Sequence, residues 1–169
     1  MRYKTCFTIA LIAMFAAPVF AQSDVPATLL AHLKTSRAFT LKVAEQMPEA
    51  TYDFKLTPPQ MSFAGQMVHL AQSFDEYLSA FSGQKASPKK PASMNKKDVV
   101  AFVGMSFDGA IAIVSKLTAA DLAKTFTSEE GKMSGLELIM AMLDHTTHHR
   151  ASAEMYLRAK GITPAEYQF

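Results

Sequence analysis

Proline placement constrains this chain more than any other feature. Proline lacks a backbone N–H and its ring clashes with the preceding helical turn, so it marks where helices cannot continue. Beyond residue 21 the prolines fall at 26, 48, 58, 59, 88, 91 and 164, which leaves four long stretches with none in their interiors. The first runs from Asp24 to Gln46, with Pro26 tolerated in its opening turn. The second is Met61 to Phe81, and the third is Lys97 to Leu117 with Asn95 as its cap. The fourth, Ser134 to Lys160, opens with Ser134-Gly135-Leu136-Glu137, a capping-box pattern, and closes with Gly161 and then Pro164. No run of four or more alternating residues has turn residues on both sides, so no strand is expected. The reading is an all-α fold, four helices around one core. The connections, at about 14, 15 and 16 residues, are long for a compact bundle. Thr118 to Asp121, in the last of them, fits a short extra helix.

Residues 1–21 read differently from the rest. A basic start, Met1-Arg2-Tyr3-Lys4, precedes an almost wholly apolar run from Thr5 to Phe20, and Val19-Phe20-Ala21 supplies small residues before polar Gln22-Ser23-Asp24. That order is the order of a cleaved secretory signal. An uncleaved anchor is the competing reading, but a run of about 17 residues is short for a bilayer and Pro18 interrupts its end. The expectation is a signal over 1–21, a single domain over 22–169, and export to the periplasm or the outside of the cell.

Cleavage changes the function classes that remain open. The 17 basic residues fall to 15 once Arg2 and Lys4 are gone, equal to the 15 acidic ones. A chain with no net charge lacks the electrostatic footprint of a nucleic-acid binder. The one cysteine, Cys6, leaves with the signal. Disulfide scaffolds, thiolate-zinc sites and cysteine nucleophiles leave with it. An apolar content of 49% excludes wholesale disorder, and no second apolar run of spanning length follows, so no stable membrane insertion is expected after cleavage. Lys85, Lys89, Lys90 and Lys96 lie in the segment from Ser82 to Lys96 without an acid, which reads as a solvated basic loop.

The histidines carry the chemistry. They are His32, His69, His145, His148 and His149, three of them within Asp144-His-Thr-Thr-His-His-Arg150. Helical residues advance by about 100°, so positions three and four apart share a face. Leu138, Met142, His145, His149, Ser152 and Tyr156 follow such spacings and form the inward seam of the fourth helix. His145 and His149 therefore point inward together. His148 lies about 100° away, towards solvent or a charge partner, and Arg150 points off the seam towards an ion pair or an interface. Two imidazoles at i and i+4 either grip a divalent metal or sit in the core satisfied by hydrogen bonds. On the second helix Phe63, Met67, Leu70, Phe74, Leu78 and Phe81 form the apolar stripe, while His69 shares a polar stripe with Ser62, Gln66, Ser73 and Glu76. That stripe suits the lining of a polar cleft and a solvated edge equally. His32 has no such pattern and reads as structural or surface.

Three stretches resemble the DinB-like (DinB/YfiT) family of helical metal-dependent proteins. Pro58-Pro59-Gln-Met-Ser62-Phe-Ala-Gly-Gln-Met-Val-His69 is similar to the family's second-helix segment with its metal-binding histidine. Leu143-Asp-His145-Thr-Thr-His148-His149-Arg150 is similar to its His-x-x-x-His-Arg segment, and Tyr156-Leu-Arg158-Ala-Lys-Gly161-Ile-Thr-Pro164 to its closing segment. The resemblance implies an up-down-up-down-like four-helix bundle, often dimeric, with the metal between helices. It implies a ligand triad of His69, His145 and His149, and the face argument selects the last two without it. Where the family commonly has Gly-Gln after His-Arg, this chain has Ala151-Ser152, which puts any contact of that glutamine in doubt.

Three histidines on a divalent metal, Zn or Ni first with Fe and Mn as further candidates, leave an open position for water or substrate. The resemblance implies action on small thiols, as a thiol transferase. Hydrolysis by metal-bound hydroxide is an equal candidate, because export separates the protein from intracellular thiols. A non-catalytic metal- or ligand-binding module of the cell envelope is the alternative. No general base is identified; Glu76, two turns beyond His69, is a weak candidate. The methionine-rich chain also allows a homodimer.

Overall fold

Helix α1 (Val25–Gln46) begins where the side chain of Asp24 accepts from the Ala27 amide, carries Pro26 in its first turn, and stops before Pro48. The computed structural model describes residues 24–128 and 131–168, so the expected signal over 1–21 and Cys6 lie outside the described residues. A 3₁₀ turn at Glu49–Thr51 and a loop lead to α2 (Phe63–Ser82), capped by Ser62 and ended by Gly83, whose φ of 66° is a left-handed conformation that suits glycine. Asn95 caps α3 (Lys96–Val114) through the Asp98 amide. Thr118 and Asp121 form a capping box on the short α4 (Ala119–Ala123). A hairpin of β1 (Thr125–Ser128) and β2 (Gly131–Ser134) follows, antiparallel with Phe126 opposite Met133. Ser134 and Glu137 then close a second capping box on α5 (Gly135–Ala159), which ends at Gly161, φ 74°, with the Ile162 amide bonded back to the Leu157 carbonyl.

The four long helices are those expected, within three residues at each end, and the bundle is all-α apart from the hairpin. That hairpin corrects the expectation of no strands. Thr125-Phe-Thr-Ser and Gly131-Lys-Met-Ser carry one apolar residue each, too little alternation to be seen from sequence. A lone two-stranded hairpin is marginal in water. This one rests on the bundle, Phe126 packing edge-on against Phe81 of α2 at 5.0 Å.

Helix α1 packs against α3 and α5, and α2 against the same two, so α1 and α2 sit diagonally. The start of α3 meets the end of α1, where Lys96 bonds to Glu45 and Glu49, and further along Arg37 pairs with Asp108. These helices are antiparallel. The end of α1 meets the chain beyond α5, Gln46 bonding to Thr163 and Ala165, so α1 and α5 are parallel. Gln66, early in α2, reaches Tyr156, late in α5, so those two are antiparallel. The directions are therefore up, down, down, up. Strict alternation gives way because the segment from Gly83 to Asn95 runs back along the bundle, held to α2 by Gln72 on the Lys89 carbonyl and Asp75 on the Ser87 amide. The core between the helices is led by Phe39, Met47, Phe63, Met67, Phe107 and Ile139, all essentially inaccessible.

Candidate metal centre

Helix α5 lies between α1 and α2 and buries two stripes. Leu138, Met142, His149 and Tyr156 are buried on the stripe expected, with His145 and Ser152 half-buried. Ile139, Leu143, Thr146, Arg150, Ala153 and Leu157 form a second stripe at the same spacing, also buried. On α2 the polar stripe proves to be the lining of a contact: Gln66 and Ser73 are buried, His69 is half-buried, and only its far end at Glu76 is exposed.

The facing of α2 and α5 brings His69, His145 and His149 together. Their ring centroids are 4.5 to 5.0 Å apart. One ring nitrogen from each lies within 4.8 Å of the others. Three nitrogens at about 2.0–2.1 Å from one tetrahedral ion stand about 3.3 Å apart, so the set would have to close by no more than about 1.5 Å to hold one. Nδ1 of His145 is buried with no hydrogen-bond partner among the described residues. Such an orphaned nitrogen is costly, and a cation there would relieve it. Burial first, then the neighbouring His145, His69 and His148, pushes His149 down to about 4. Burial, then His69 and His148, lowers His145 as well. Both are neutral near pH 7, with lone pairs available. The cluster is all imidazole with no carboxylate, a donor set suited to Zn, Ni, Cu or Fe(II). A divalent ion fits these residues.

Around the cluster, Nδ1 of His149 bonds to Oε1 of Gln66 at 2.6 Å, and the Tyr77 ring stands edge-on to His145 at 6.0 Å. His148 is exposed, its ring against His149 at 4.8 Å but outside the cluster. His32, on α1, and Glu76 are also outside it. Gln66 was visible as a polar-stripe residue, but its bond to His149 was not, because periodicity says which residues share a face and not what the face meets. Tyr77 gave no signal.

Arg150 corrects the sequence reading. It is 4% exposed, buried in the bundle and not presented at the surface. Its guanidinium donates to Ser36 at 3.0 Å, Thr40 at 3.5 Å and Thr147 at 3.3 Å and lies over the Phe39 ring, 4.5 Å from its centroid. Off one seam of α5 means onto the second, which packs on α1.

A four-helix bundle with three histidines from two antiparallel helices, close enough to hold a metal ion, is the class of protein that these observations define. The chain belongs to the DinB family, whose model matches residues 19–169. It is similar to the uncharacterized protein YjoA of Bacillus subtilis (strain 168), 24% identical over 139 residues, 80% of this chain and 90% of that one. The crystal structure of that DinB-like protein superposes with a TM-score of 0.71 at 22% identity, covering 83% of this chain and 96% of the other. A DinB-like protein from Bacillus cereus ATCC 10987 gives 0.74 at 16% identity, over 84% and 97%. At such identities the structures speak for the fold alone.

Proposed function

We propose that His69, His145 and His149 hold one divalent ion, Zn or Ni before Fe or Mn, and that the protein is an exported metal-dependent enzyme, thiol-transferase-like or a hydrolase. The observation that carries the reading is the convergence of three ligating nitrogens within 4.8 Å with the buried Nδ1 of His145 unpartnered. Three protein ligands leave a position for water or substrate, as catalytic sites do. A bound ion supplies Lewis acidity towards water or a thiol. The chain's own part is to keep His145 and His149 neutral by burial and to hold His149 through Gln66.

The exported location rests on the signal-like residues 1–21. The partner on this reading is a small molecule, a thiol first, and not a nucleic acid. Among the described residues no helix is long and apolar enough to cross a membrane. Exposed Met140 and Met155 on α5 support a homodimer, which sedimentation would detect. A second reading, a non-catalytic metal- or ligand-binding module of the cell envelope, is favoured by the lack of any carboxylate in the cluster and the exposure of Glu76, which leave no general base assigned.

The test is elemental mass spectrometry on untagged protein never exposed to a nickel column, beside His69→Ala. About one metal per chain, lost in the variant, is expected. No metal after supply of Zn, Ni, Mn and Fe(II) would overturn the reading. Turnover of small thiols or activated esters that a chelator abolishes supports the enzyme. Bound metal without any turnover selects the binding module.

A further inference from the structure

We infer that Gln66 and Tyr156 form a hydrogen-bond relay that fixes the tautomer of His149 and leaves its Nε2 lone pair for the histidine cluster. The Met61 carbonyl can only accept, and the Tyr156 hydroxyl donates to it at 2.7 Å. A phenol has one proton, so the same oxygen can only accept from Gln66. The amide nitrogen Nε2 of Gln66 donates to it at 3.3 Å. That places Oε1 of Gln66 against Nδ1 of His149 at 2.6 Å. A carboxamide oxygen cannot donate, so Nδ1 carries the proton. In a neutral ring Nε2 is then bare.

The reverse arrangement fails at the far end. With the amide flipped, Tyr156 would have to donate to Gln66 and the Met61 carbonyl would lose its proton. Water can reach the Met61 carbonyl, since Met61 is 41% exposed, but two oxygens held 2.7 Å apart with no proton between them repel, so the observed contact requires the Tyr156 proton. The carbonyl that sets the whole chain belongs to the residue before the α2 cap Ser62, so the entry into α2 determines the proton position on α5. Gln66 and Tyr156 are thus positioning residues. They touch no reacting atom and act through His149, as outer partners of metal-binding histidines do.

The inference rests on the proposed metal site for its affinity readout but not for its tautomer readout, and the experiment keeps the two apart. Nitrogen-15 NMR of metal-free wild-type protein should show His149 as the Nδ1–H tautomer, turning to a mixture in Gln66→Leu. Zinc affinity, by competition with a chromophoric chelator, should fall about 10- to 100-fold in Gln66→Leu. Gln66→Glu, which keeps an acceptor oxygen, should stay within about threefold of wild type, and Tyr156→Phe, which frees the amide to flip, should fall between them. Circular dichroism of each metal-free variant checks that it is folded. A loss of melting temperature alone, with the tautomer and zinc affinity unchanged, would mean a structural role and overturn the inference. An Nε2–H tautomer in the wild type would overturn it outright. Wild-type protein that takes no zinc would refute the metal site, while the tautomer would still decide the relay.

Discussion

Replacing Arg150 separates its structural role from any part in the metal site. Its bond to Ser36 at 3.0 Å is the one of good length; those to Thr147 and Thr40 are long. A hydrogen bond from a charged donor is worth about 1.5–3 kcal/mol, and the stacking on Phe39 adds about 1–2 kcal/mol in a desolvated setting. Truncation to alanine also removes two buried methylenes at about 0.8 kcal/mol each. Against this stands the desolvation of a guanidinium with no carboxylate bonded to it among the described residues, several kcal/mol, which the mutant recovers. The net expectation for Arg150→Ala is a loss of about 2–4 kcal/mol, or about 5–15 °C in Tm for a chain of this size. Arg150→Met keeps the aliphatic stem and sheds the charge, so it should cost less than about 1.5 kcal/mol. Zinc affinity should stay within about threefold in both, because the guanidinium bonds to α1 and Thr147 and not to the cluster. Circular dichroism melts and chelator competition are the assays. An alanine variant melting within about 2 °C of wild type would refute the energetics, and one that stays folded but loses zinc would refute the separation of roles.

Three further outcomes are expected. The metal-free protein should lose stability as pH falls from about 6.5 to about 4, because unfolded histidines take up protons there while His149, held down to about 4, does not. The stability is complete above that window. With a discount for solvent screening at His149 the effect is on the order of 1–2 kcal/mol, and a melting temperature that is flat or rises on acidification, with no smaller slope in His149→Gln, would contradict it. Gly135→Ala should cost about 1–3 kcal/mol, since a Cβ there meets the Asp121 carbonyl, Leu122 Cα at 3.0 Å and Phe81 at 3.0 Å; an unchanged thermal melt would count against that packing. His148→Ala should leave zinc affinity within about twofold, whereas His145→Ala should abolish stoichiometric binding; equal losses in the two would show that the wrong neighbour was excluded.

The parts of this protein legible in sequence are those set by local chemistry. Asn95 and Ser134 read as caps because their side-chain oxygens reach amides three residues on, and Pro48 and Gly161 as ends through φ restriction or release. Asp24, Ser62 and Gly83 act by the same local chemistry but are not singled out by the sequence pattern. The 3.6-residue period likewise placed His145 and His149 on one inward face. It said nothing of how many neighbours the helix has. Because α5 is wedged between α1 and α2, a second stripe is buried, and Arg150 sits there among hydroxyls. Nor did it say what the polar stripe of α2 meets, so the bond from Gln66 to His149 was out of reach.

The return of the segment from Gly83 to Asn95, which sets α3 parallel to α2, and the hairpin at Thr125–Ser134 are likewise products of docking and not of local propensity. By itself the sequence determined where helices start and stop and which residues share a face, since both depend on contacts within a turn or two. Which faces meet, in what direction, and with what polar partners was decided by the tertiary structure. Those choices depend on burying several helices at once, and no stretch of a dozen residues contains that information.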